Sequence, residues 1–459
     1  MLYANQTVTV DSHLTTSSVS TTVVVNAAAS MIDTQNANLS DALTGKRQTR
    51  ICYIGEDKLM TLSYVRLRSI EAVVLLLVGF ILIGSLRAEP VSTFCSNTGC
   101  AENKQELKRI CDYIVKNKST YPTIYIGGYY MRALVAGYEI LGDRSYLNTA
   151  LAYGDYLLAR QMPNGFWQTG YGPVYMADTG SALGLFIALY NHADHERQQE
   201  YFDAMQRYVD SIQKDGMIHS NGAFGTGWGK VVNGTLTEPL YDPYTLSSAL
   251  TGSEIFIWMY HKTRKDQYRE IAYNALRWIF STMRHDGNIP HILAEGGWDW
   301  DKRNNPQMEQ KLFNTMTYGT SAYVGEGVIA FDLYCDEPSW KSWIEKIVRP
   351  NVDFLLRTQL ANGTWSELEQ TSWDRTRSSG IVDYLIWYYR HVDPDPRIVK
   401  AVQRFDAFVL NANDGKSYGL LYDGAKSNTQ NGINAFNTVT SLTGRAVADI
   451  ISPGIDAKW

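Results

Sequence analysis

Residues 145–190 read SYLNTALAYGDYLLARQMPNGFWQTGYGPVYMADTGSALGLFIALY, and this stretch decides the fold. Its first part, up to Gln161, places apolar side chains on one face of a helix with a period near 3.6. The helical pattern ends at the pair Asn164-Gly165, where a glycine in the left-handed conformation commonly terminates a helix. The last part, from Asp178 onward, is small and apolar nearly all round, which predicts a helix that is buried on every side.

The same alternation of two helix types repeats along the chain from Glu89 onward. Amphipathic runs span about 102–117, 145–161, 197–213, 264–283, 339–359 and 396–412. Runs that are apolar all round begin near Gly127, Asp178, Asp242, Gly319, Thr376 and Asn434. Six outer amphipathic helices that alternate with six inner buried helices predict an all-α fold, an (α/α)6 toroid of six helical hairpins.

The lengths of the connections predict which face of the ring carries the function. Connections from an inner helix to the next outer helix are short, whereas those from an outer to an inner helix are long. The long loops and the N-termini of the inner helices therefore share one face, and loops on rigid scaffolds commonly hold binding sites. The chain has 30 Tyr and 12 Trp, and so many aromatic rings favour a surface that stacks against sugars. We expect four loop tryptophans to bind a carbohydrate substrate: Trp167, Trp228, Trp298 and Trp365.

Two carboxylates stand at the starts of inner helices, Asp178 in YMADTGSALG and Asp242 in EPLYDPYTLSSALTG. Glycoside hydrolysis needs a carboxyl pair, one to donate a proton and one to activate water or to stabilise charge. We predict that these two residues form the catalytic pair. The alternative is that each caps its helix, with Pro243 at the first helical position. His219 and His291, in the long loops, are candidate acid–base partners or sugar contacts.

The ring pattern, with its Gln-x-x-Asn-Gly-x-Trp endings at 161–167 and 359–365, resembles the six-hairpin glycosidase superfamily. Within it, residues 175–190 (YMADTGSALGLFIALY) and 241–279 (YDPYTLSSALTGSEIFIWMYHKTRKDQYREIAYNALRWI) are similar to the two Asp-bearing segments of unsaturated glucuronyl hydrolases. The resemblance implies that Asp242 donates a proton, with Asp178 as its partner, when the double bond of an unsaturated uronic acid is hydrated.

The chain departs from that family over residues 322–328, which read AYVGEGV. The enzymes that it resembles carry a Trp-Ala-Arg-Gly-Gln-Ala-Trp-like stretch there. This chain therefore lacks one basic residue and two aromatic rings at that place.

We predict a glycoside hydrolase that acts on an oligosaccharide, and oligosaccharides that contain a uronate are among the predicted substrates. Two alternatives stay open. A polysaccharide lyase or epimerase on uronates would need a Tyr or His base and an Arg that neutralises the carboxylate. The candidates for those roles are Tyr175, Tyr241, Tyr318, Arg375 and Arg377, and Arg377 is also a candidate substrate-binding residue for the hydrolase. A toroid that binds a glycan or a protein without catalysis is the second alternative, and the departure over residues 322–328 favours it.

Charge and missing motifs exclude several other classes. A net charge of -5 excludes an electrostatic nucleic-acid binder, which would need a basic stripe. The sequence contains no GxSxG, P-loop, HExxH or helix-opening GxGxxG signature, and no CxxC or His-rich spacing accompanies the cysteines. His192, His195 and Glu196 have a spacing that metal ligands use, but we interpret them as a solvated turn at the end of an inner helix. We therefore expect neither a cofactor nor a metal ion.

The first 88 residues differ in composition from the rest. Residues 1–59 are rich in Thr, Ser, Val and Asn without periodicity, which predicts a disordered low-complexity extension. Residues 60–88 contain the uncharged run Ala72 to Leu86, which is short for a membrane span and has the length of the apolar core of a secretory signal. We expect a signal peptide or a transmembrane signal anchor there, followed by the toroid domain over 89–459. The chain would then be extracellular or tethered to a membrane by a single span.

Cysteines and glycosylation triplets are compatible with that location. Four cysteines follow the apolar run and allow three disulfide pairings: Cys95, Cys100, Cys111 and Cys335. Triplets that would make the chain a glycoprotein begin at Asn117, Asn233 and Asn362.

Overall fold

The structure is a computed structural model that describes residues 6–8, 23–25, 92–96, 100–117, 124–168, 173–292, 317–365, 378–411 and 442–455. The chain divides into two units, Met1–Arg87 and Ala88–Trp459. In the first unit, the described residues form two short antiparallel strands, β1 (Gln6–Val8) and β2 (Val23–Val25). We expected no regular structure in this segment, and β-branched valines favour the extended conformation found at these two places.

The described elements of the second unit are helices with one small sheet. In chain order the helices are α1 (Ala101–Asn117), α2 (Ile124–Leu141), α3 (Arg144–Leu158), α4 (Met176–Tyr190), α5 (His195–Lys214), α6 (π-helical over Ser247–Ile255 and α-helical over Phe256–Thr263), α7 (Asp266–Ser281), α8 (Thr317–Tyr334), α9 (Pro338–Ile347), α10 (Arg349–Thr358), α11 (Ile381–His391, after a short turn at Ser378–Gly380), α12 (Pro396–Asn411) and α13 (442–451). The strands are β3 (Val174–Tyr175), β4 (Gly225–Val232) and β5 (Thr235–Pro243).

The inner helices α2, α4, α6, α8, α11 and α13 form a closed ring. Each of the first four packs on the next one in this order. Helix α13 meets α11 where Arg445 lies 3.9 Å from Asp383. The ring closes at Gly444 of α13, since a methyl group added there would lie only 3.2 Å from the Cβ of Ala133 in α2. The outer helices α1, α3, α5, α7, α9 with α10, and α12 alternate with them along the chain. The predicted all-α (α/α)6 toroid is confirmed.

One outer helix differs from the prediction. The run expected to be continuous over residues 339–359 is divided into α9 and α10 at Val348. Pro350 lies at the start of α10, and a proline has no backbone N–H to continue the helical hydrogen bonds and excludes the carbonyl four residues earlier. The break therefore falls where the proline requires it.

The turns that end the outer helices tie each of them to the next. Gly165 has a φ angle of +84°, so the left-handed glycine predicted there is confirmed. Gly216, Gly287 and Gly363 follow other outer helices with φ angles of +68°, +92° and +91°. The Nε2 atom of Gln161 donates to the carbonyls of Gly165 and of Ala204 in α5, both at 2.8 Å. The glutamine of the Gln-x-x-Asn-Gly-x-Trp motif therefore joins consecutive outer helices.

The segment 92–96 connects the two ends of the outer ring. The backbone N–H of Ser96 donates to Asp406 of α12 at 2.7 Å, and the amide of Asn103 in α1 donates to the same carboxylate. Asp406 is fully buried, and burial raises the pKa of its carboxyl above the ordinary value. One buried carboxylate therefore joins the first outer helix to the last.

The structure contains one disulfide among the four cysteines that follow the apolar run. Cys95 and Cys100 form a disulfide within this connecting segment. Cys111 and Cys335 are buried free thiols.

The predicted leader is mostly outside the described residues. The run Ala72 to Leu86 falls there, so a signal peptide or anchor stays a prediction. Among the residues that the structure describes, no helix is both long and apolar enough to cross a membrane.

Replacing Asp406 by alanine should destabilise the ring closure. The change removes the acceptor for the Ser96 N–H and the Asn103 amide, and hydrogen bonds to a charged group contribute about 1.5–3 kcal/mol each. We expect the free energy of unfolding in urea to fall by about 2–4 kcal/mol. Asp353→Ala is the matched control, because its ion pair with Arg397 is exposed and should contribute less than about 1 kcal/mol. Equal losses in the two variants would contradict the closure role.

Candidate active site

A three-stranded sheet at one end of the ring positions the two predicted catalytic carboxylates. Strand β4 lies between β3 and β5 and is antiparallel to both, with Gly227 opposite Tyr175 on one side and Leu240 on the other. Strands β3 and β5 therefore run in the same direction, and each leads into an inner helix. Two strand spacings separate them by about 10 Å. Asp178 comes shortly after Tyr175, and Asp242 comes shortly after Leu240. The structure therefore brings the two carboxylates to the same end of the ring.

Asp242 lies in a β-bulge. Gly225 is opposite Pro243 and Gly227 is opposite Leu240, so the strand β5 carries one residue more than β4 between these pairs. Thr226 consequently faces both Tyr241 and Asp242, and its Oγ1 donates to the Asp242 carbonyl at 3.0 Å. Bulges of this kind re-aim side chains and are common next to active sites. The sequence predicted no strands here, so it could not predict the bulge.

Neither carboxylate caps a helix. Asp178 is the third residue of α4, whose N-cap is Tyr175, and that cap position has no side-chain hydrogen bond. Asp242 and Pro243 lie in β5, ahead of α6. The alternative that these two residues cap their helices is therefore wrong. The chain is already helical at Asp178 and still extended at Asp242, so neither residue occupies an N-cap position.

The side chains below Asp178 form a polar aromatic floor. Ser181 lies one turn deeper in α4, about 4.5 Å along the helix axis. Its Oγ is 3.2 Å from the hydroxyl of Tyr129 in α2, and the ring of Tyr129 lies 5.9 Å from that of Tyr323 in α8. All three side chains are buried. Burial, together with the nearby Glu326 carboxylate, holds the pKa of Tyr129 well above its usual value, so this phenol stays protonated.

Below this floor, a network of buried ion pairs fills the axis of the ring. Arg132 of α2 pairs with Glu254 of α6 at 3.2 Å and with Glu326 of α8 at 3.0 Å. Arg445 of α13 pairs with the same Glu326 at 3.0 Å and lies 3.9 Å from Asp383 of α11. All five side chains are at most 5% exposed. We name these residues the axial ion network.

The inner helix α4 contributes no side chain to the axial ion network and has Gly184 at that level. A methyl group at Gly184 of α4 would lie 2.8 Å from Nη1 of Arg132 and 3.1 Å from Oε1 of Glu254. The axial ion network was not predicted from the sequence. A signal was present, because each of the five other inner helices carries a charged residue inside an otherwise apolar run, as Arg132 does in GYYMRALVAG.

His219 is anchored beside Asp242. Its Nε2 forms a hydrogen bond with the carbonyl of Tyr241, the neighbouring residue in the bulge. A carbonyl oxygen only accepts, so Nε2 carries the proton, and Nδ1 of the neutral ring is an acceptor. The ring is half-buried.

His291 is buried between the starts of α6 and α8. Its Nδ1 lies 3.0 Å from Oγ1 of Thr320 in α8, and its ring meets that of Tyr244 edge-on at 5.6 Å. The backbone N–H of Ile292 donates to Oγ1 of Thr245 at 2.9 Å, which fixes this loop to the helix start. Both histidines therefore lie at the end of the ring that carries Asp178 and Asp242.

The three described tryptophans of the predicted binding surface are core residues. Trp167, Trp228 and Trp365 are 0%, 2% and 1% exposed. The indole of Trp167 donates to the Leu157 carbonyl at 2.8 Å, and that of Trp365 donates to the Leu355 carbonyl at 2.9 Å. These rings have no free face for a sugar, so we correct the expectation that they stack against one. The indoles of Trp167 and Trp365 instead satisfy carbonyls at the ends of outer helices.

Two further predicted site residues, Trp298 and Arg377, lie outside the described residues, as does Arg375. Of the tyrosines considered for a lyase, Tyr318 stacks on Phe354 at 5.9 Å between ring centroids. Burial raises the pKa of Tyr175 to about 12, so its phenol is protonated near neutral pH. Within the described ranges, no group of three or more His, Cys, Asp or Glu is arranged to hold a metal ion.

The fold is an (α/α)6 toroid with Asp178 and Asp242 at one end of its inner ring. Solved structures with this fold include a family 105 glycoside hydrolase from C. acetobutylicum, which has a TM-score of 0.54 and 13% identity and covers 75% of this chain and 98% of its own. The unsaturated glucuronyl hydrolase from Bacillus sp. GL1 has a TM-score of 0.52 and 13% identity, covering 77% and 97%.

A possible family 105 member from Salmonella enterica serovar Paratyphi A has a TM-score of 0.53 and 10% identity, covering 76% and 94%. No family model and no curated protein sequence matches the chain. The resemblance that the sequence indicated is confirmed for the fold, which these glycoside hydrolases share with this chain.

Replacing Trp365 by phenylalanine tests its structural role. The change removes the hydrogen bond to Leu355 and part of a buried ring, so we expect the free energy of unfolding to fall by about 1–3 kcal/mol. Trp343→Phe on α9 is the matched control, because that ring is half-buried and should change stability by less than about 1 kcal/mol. Chemical denaturation measures both. Unchanged stability of the Trp365 variant would show that the indole is not a helix-end cap.

Proposed function

We propose that this protein is a carbohydrate-active enzyme, a glycoside hydrolase that cleaves an oligosaccharide with Asp178 and Asp242 as its acid–base pair. The observation that carries the proposal is the placement of the two carboxylates on neighbouring chain segments, β5 and the first turn of α4, at one end of the ring. The glycoside hydrolases that share the fold support the same class of chemistry.

The spacing of the two segments suits either stereochemical course. The strands that lead to Asp178 and Asp242 are about 10 Å apart. Side chains that converge from this separation reach the roughly 5–5.5 Å of retaining pairs or the roughly 6.5–9.5 Å of inverting pairs. We therefore propose Asp178 and Asp242 as the catalytic pair and assign no stereochemistry to the product.

The two carboxylates occupy different electrostatic surroundings. Asp178 lies in the first turn of α4, where the positive end of the helix dipole favours the ionised form. Asp242 lies in the extended strand β5. We assign proton donation to Asp242 and the charged role to Asp178, which are the roles that the resemblance implies.

The axial ion network bears on the substrate. In this chain Glu326 occupies the stretch where the resembled enzymes carry a basic residue, and it pairs with both Arg132 and Arg445. These two arginines lie below the tyrosine floor and are already engaged with carboxylates. A uronate-containing substrate would consequently need another cation, for which Arg377 is the candidate from the sequence.

The lyase or epimerase alternative is the weaker one. It needs a tyrosine or histidine base, and burial raises the pKa of Tyr175 to about 12, which makes its phenolate harder to form than that of an exposed tyrosine. A protonated Tyr175 is suited to donate a hydrogen bond to a sugar hydroxyl or a leaving group.

The test is hydrolysis of a panel of substrates by the purified chain. The panel contains 4-nitrophenyl glycosides of neutral sugars and of glucuronic acid, together with disaccharides that end in a 4,5-unsaturated uronate. We expect Asp178→Asn and Asp242→Asn each to lower kcat by about a hundredfold or more, because each removes a general acid or base. Asp203→Asn, an exposed site on the outer helix α5, is the matched control and should leave kcat unchanged.

The stability of the same variants completes the experiment. We expect the free energy of unfolding of both Asn variants to stay close to that of the parent chain, since neither carboxylate caps a helix. Full turnover in both variants would overturn the assignment of the pair. A parent chain that hydrolyses nothing in the panel would overturn the hydrolase proposal and favour the toroid that binds without catalysis.

A further inference from the structure

Tyr241 is an exposed aromatic ring next to a proposed catalytic residue. Its side chain is 48% exposed. In the part of the chain that the structure describes, the exposed large hydrophobic residues are Tyr156, Val232, Tyr241 and Leu333. Tyr241 directly precedes Asp242, whereas Tyr156 and Leu333 lie in the helices α3 and α8, and Val232 lies at the far end of β4. Buried Trp167, Trp228 and Trp365 cannot stack against a sugar, so Tyr241 is the described ring best placed to do so.

The backbone around Tyr241 is held on both sides. His219 Nε2 donates to the carbonyl of Tyr241, and Thr226 Oγ1 donates to the carbonyl of Asp242 at 3.0 Å. The backbone N–H of Tyr244 donates to the carbonyl of Phe224 at 2.9 Å. A ring whose backbone is already fixed loses little conformational entropy when a ligand covers it, which favours binding.

His219 is itself fixed by a tight turn. Its backbone N–H donates to the carbonyl of Ala223 at 2.8 Å, and its own carbonyl accepts from the N–H of Gly222 at 2.9 Å. The imidazole therefore connects this turn to the bulge. Since Nε2 is used for Tyr241, only Nδ1 remains to accept a hydrogen bond from a ligand hydroxyl.

We propose that Tyr241 is the stacking platform for a pyranose ring beside the scissile bond, and that His219 is the positioning residue that holds it. This inference rests on the proposed function. An aromatic face covers the apolar C–H face of a sugar, while Asp242 and Nδ1 of His219 lie within the same bulge region to meet its hydroxyls. Lys230 of this hairpin is paired with Glu238, so the hairpin offers no net positive charge to an anionic sugar, and we expect a neutral pyranose.

The experiment measures sugar binding and not only turnover. Neutral trisaccharides of glucose, mannose, xylose and galactose are titrated into the full chain by calorimetry, and saturation-transfer NMR identifies the sugar protons that face an aromatic ring. We expect Tyr241→Ala to weaken binding about tenfold and Tyr241→Phe to retain it, because the platform is the ring face. Tyr156→Ala is the matched control, since that tyrosine is 41% exposed on the outer helix α3.

His219 is tested by a double-mutant cycle. His219→Ala should weaken binding in the parent chain and have little further effect in a Tyr241→Ala background, because its role is exerted through the ring that is then missing. His219→Gln should restore much of the affinity, since the glutamine amide can still donate to the Tyr241 carbonyl. A merely structural role for His219 would give additive losses in the two backgrounds.

The outcomes separate this inference from the proposed function. Binding of Tyr241→Ala that equals that of Tyr156→Ala, or no binding of any trisaccharide by the parent chain, would overturn the platform. If hydrolysis is lost in the Asp178 and Asp242 variants while Tyr241→Ala behaves like the control, only the platform fails. If binding depends on Tyr241 but no glycoside is hydrolysed, only the hydrolase proposal fails.

Discussion

Burial of charge at the axis of the ring is the constraint on which the rest of the structure depends. A charged side chain inside a protein is tolerated only when it is paired and hydrogen-bonded. Arg132, Glu254, Glu326 and Arg445 come from four inner helices, and none could be satisfied if its helix moved along the axis by one turn. The axial ion network therefore sets the heights of the inner helices. It thereby sets the heights of the N-termini of the helices that carry these charges, among them α6, which follows Asp242.

The sequence predicted the ring well, because two kinds of helix alternate and each kind has its own pattern of apolar residues. It failed on Trp167 and Trp365, since a loop position does not tell whether an aromatic ring turns outward or inward. The Gln-x-x-Asn-Gly-x-Trp motif does hold that information. Its glutamine reaches the next outer helix and its tryptophan reaches a carbonyl of the preceding one, as with Gln359 and Trp365, so the motif describes a structural turn.

The site was predictable only in part. Asp178 and Asp242 stand out in the sequence because each precedes or opens a buried helix, and the structure places them at one end of the ring. The bulge at Tyr241 and Asp242 depends on the register of β4 and β5, which no local pattern reveals. The contact between His219 and Tyr241 joins residues of a turn and of a strand, and it exists only because that register places the Tyr241 carbonyl beside the imidazole.

The buried tyrosines and ion pairs along the axis also have a consequence for the path of a ligand. Tyr129, Ser181 and Tyr323 lie directly beneath the mouth, and the five charged side chains lie beneath them. In the part of the chain that the structure describes, these buried side chains close the centre of the ring at that depth. For the proposed hydrolase, a substrate that enters beside Asp178 would leave by the same opening, so a long polymer would not be threaded through the ring.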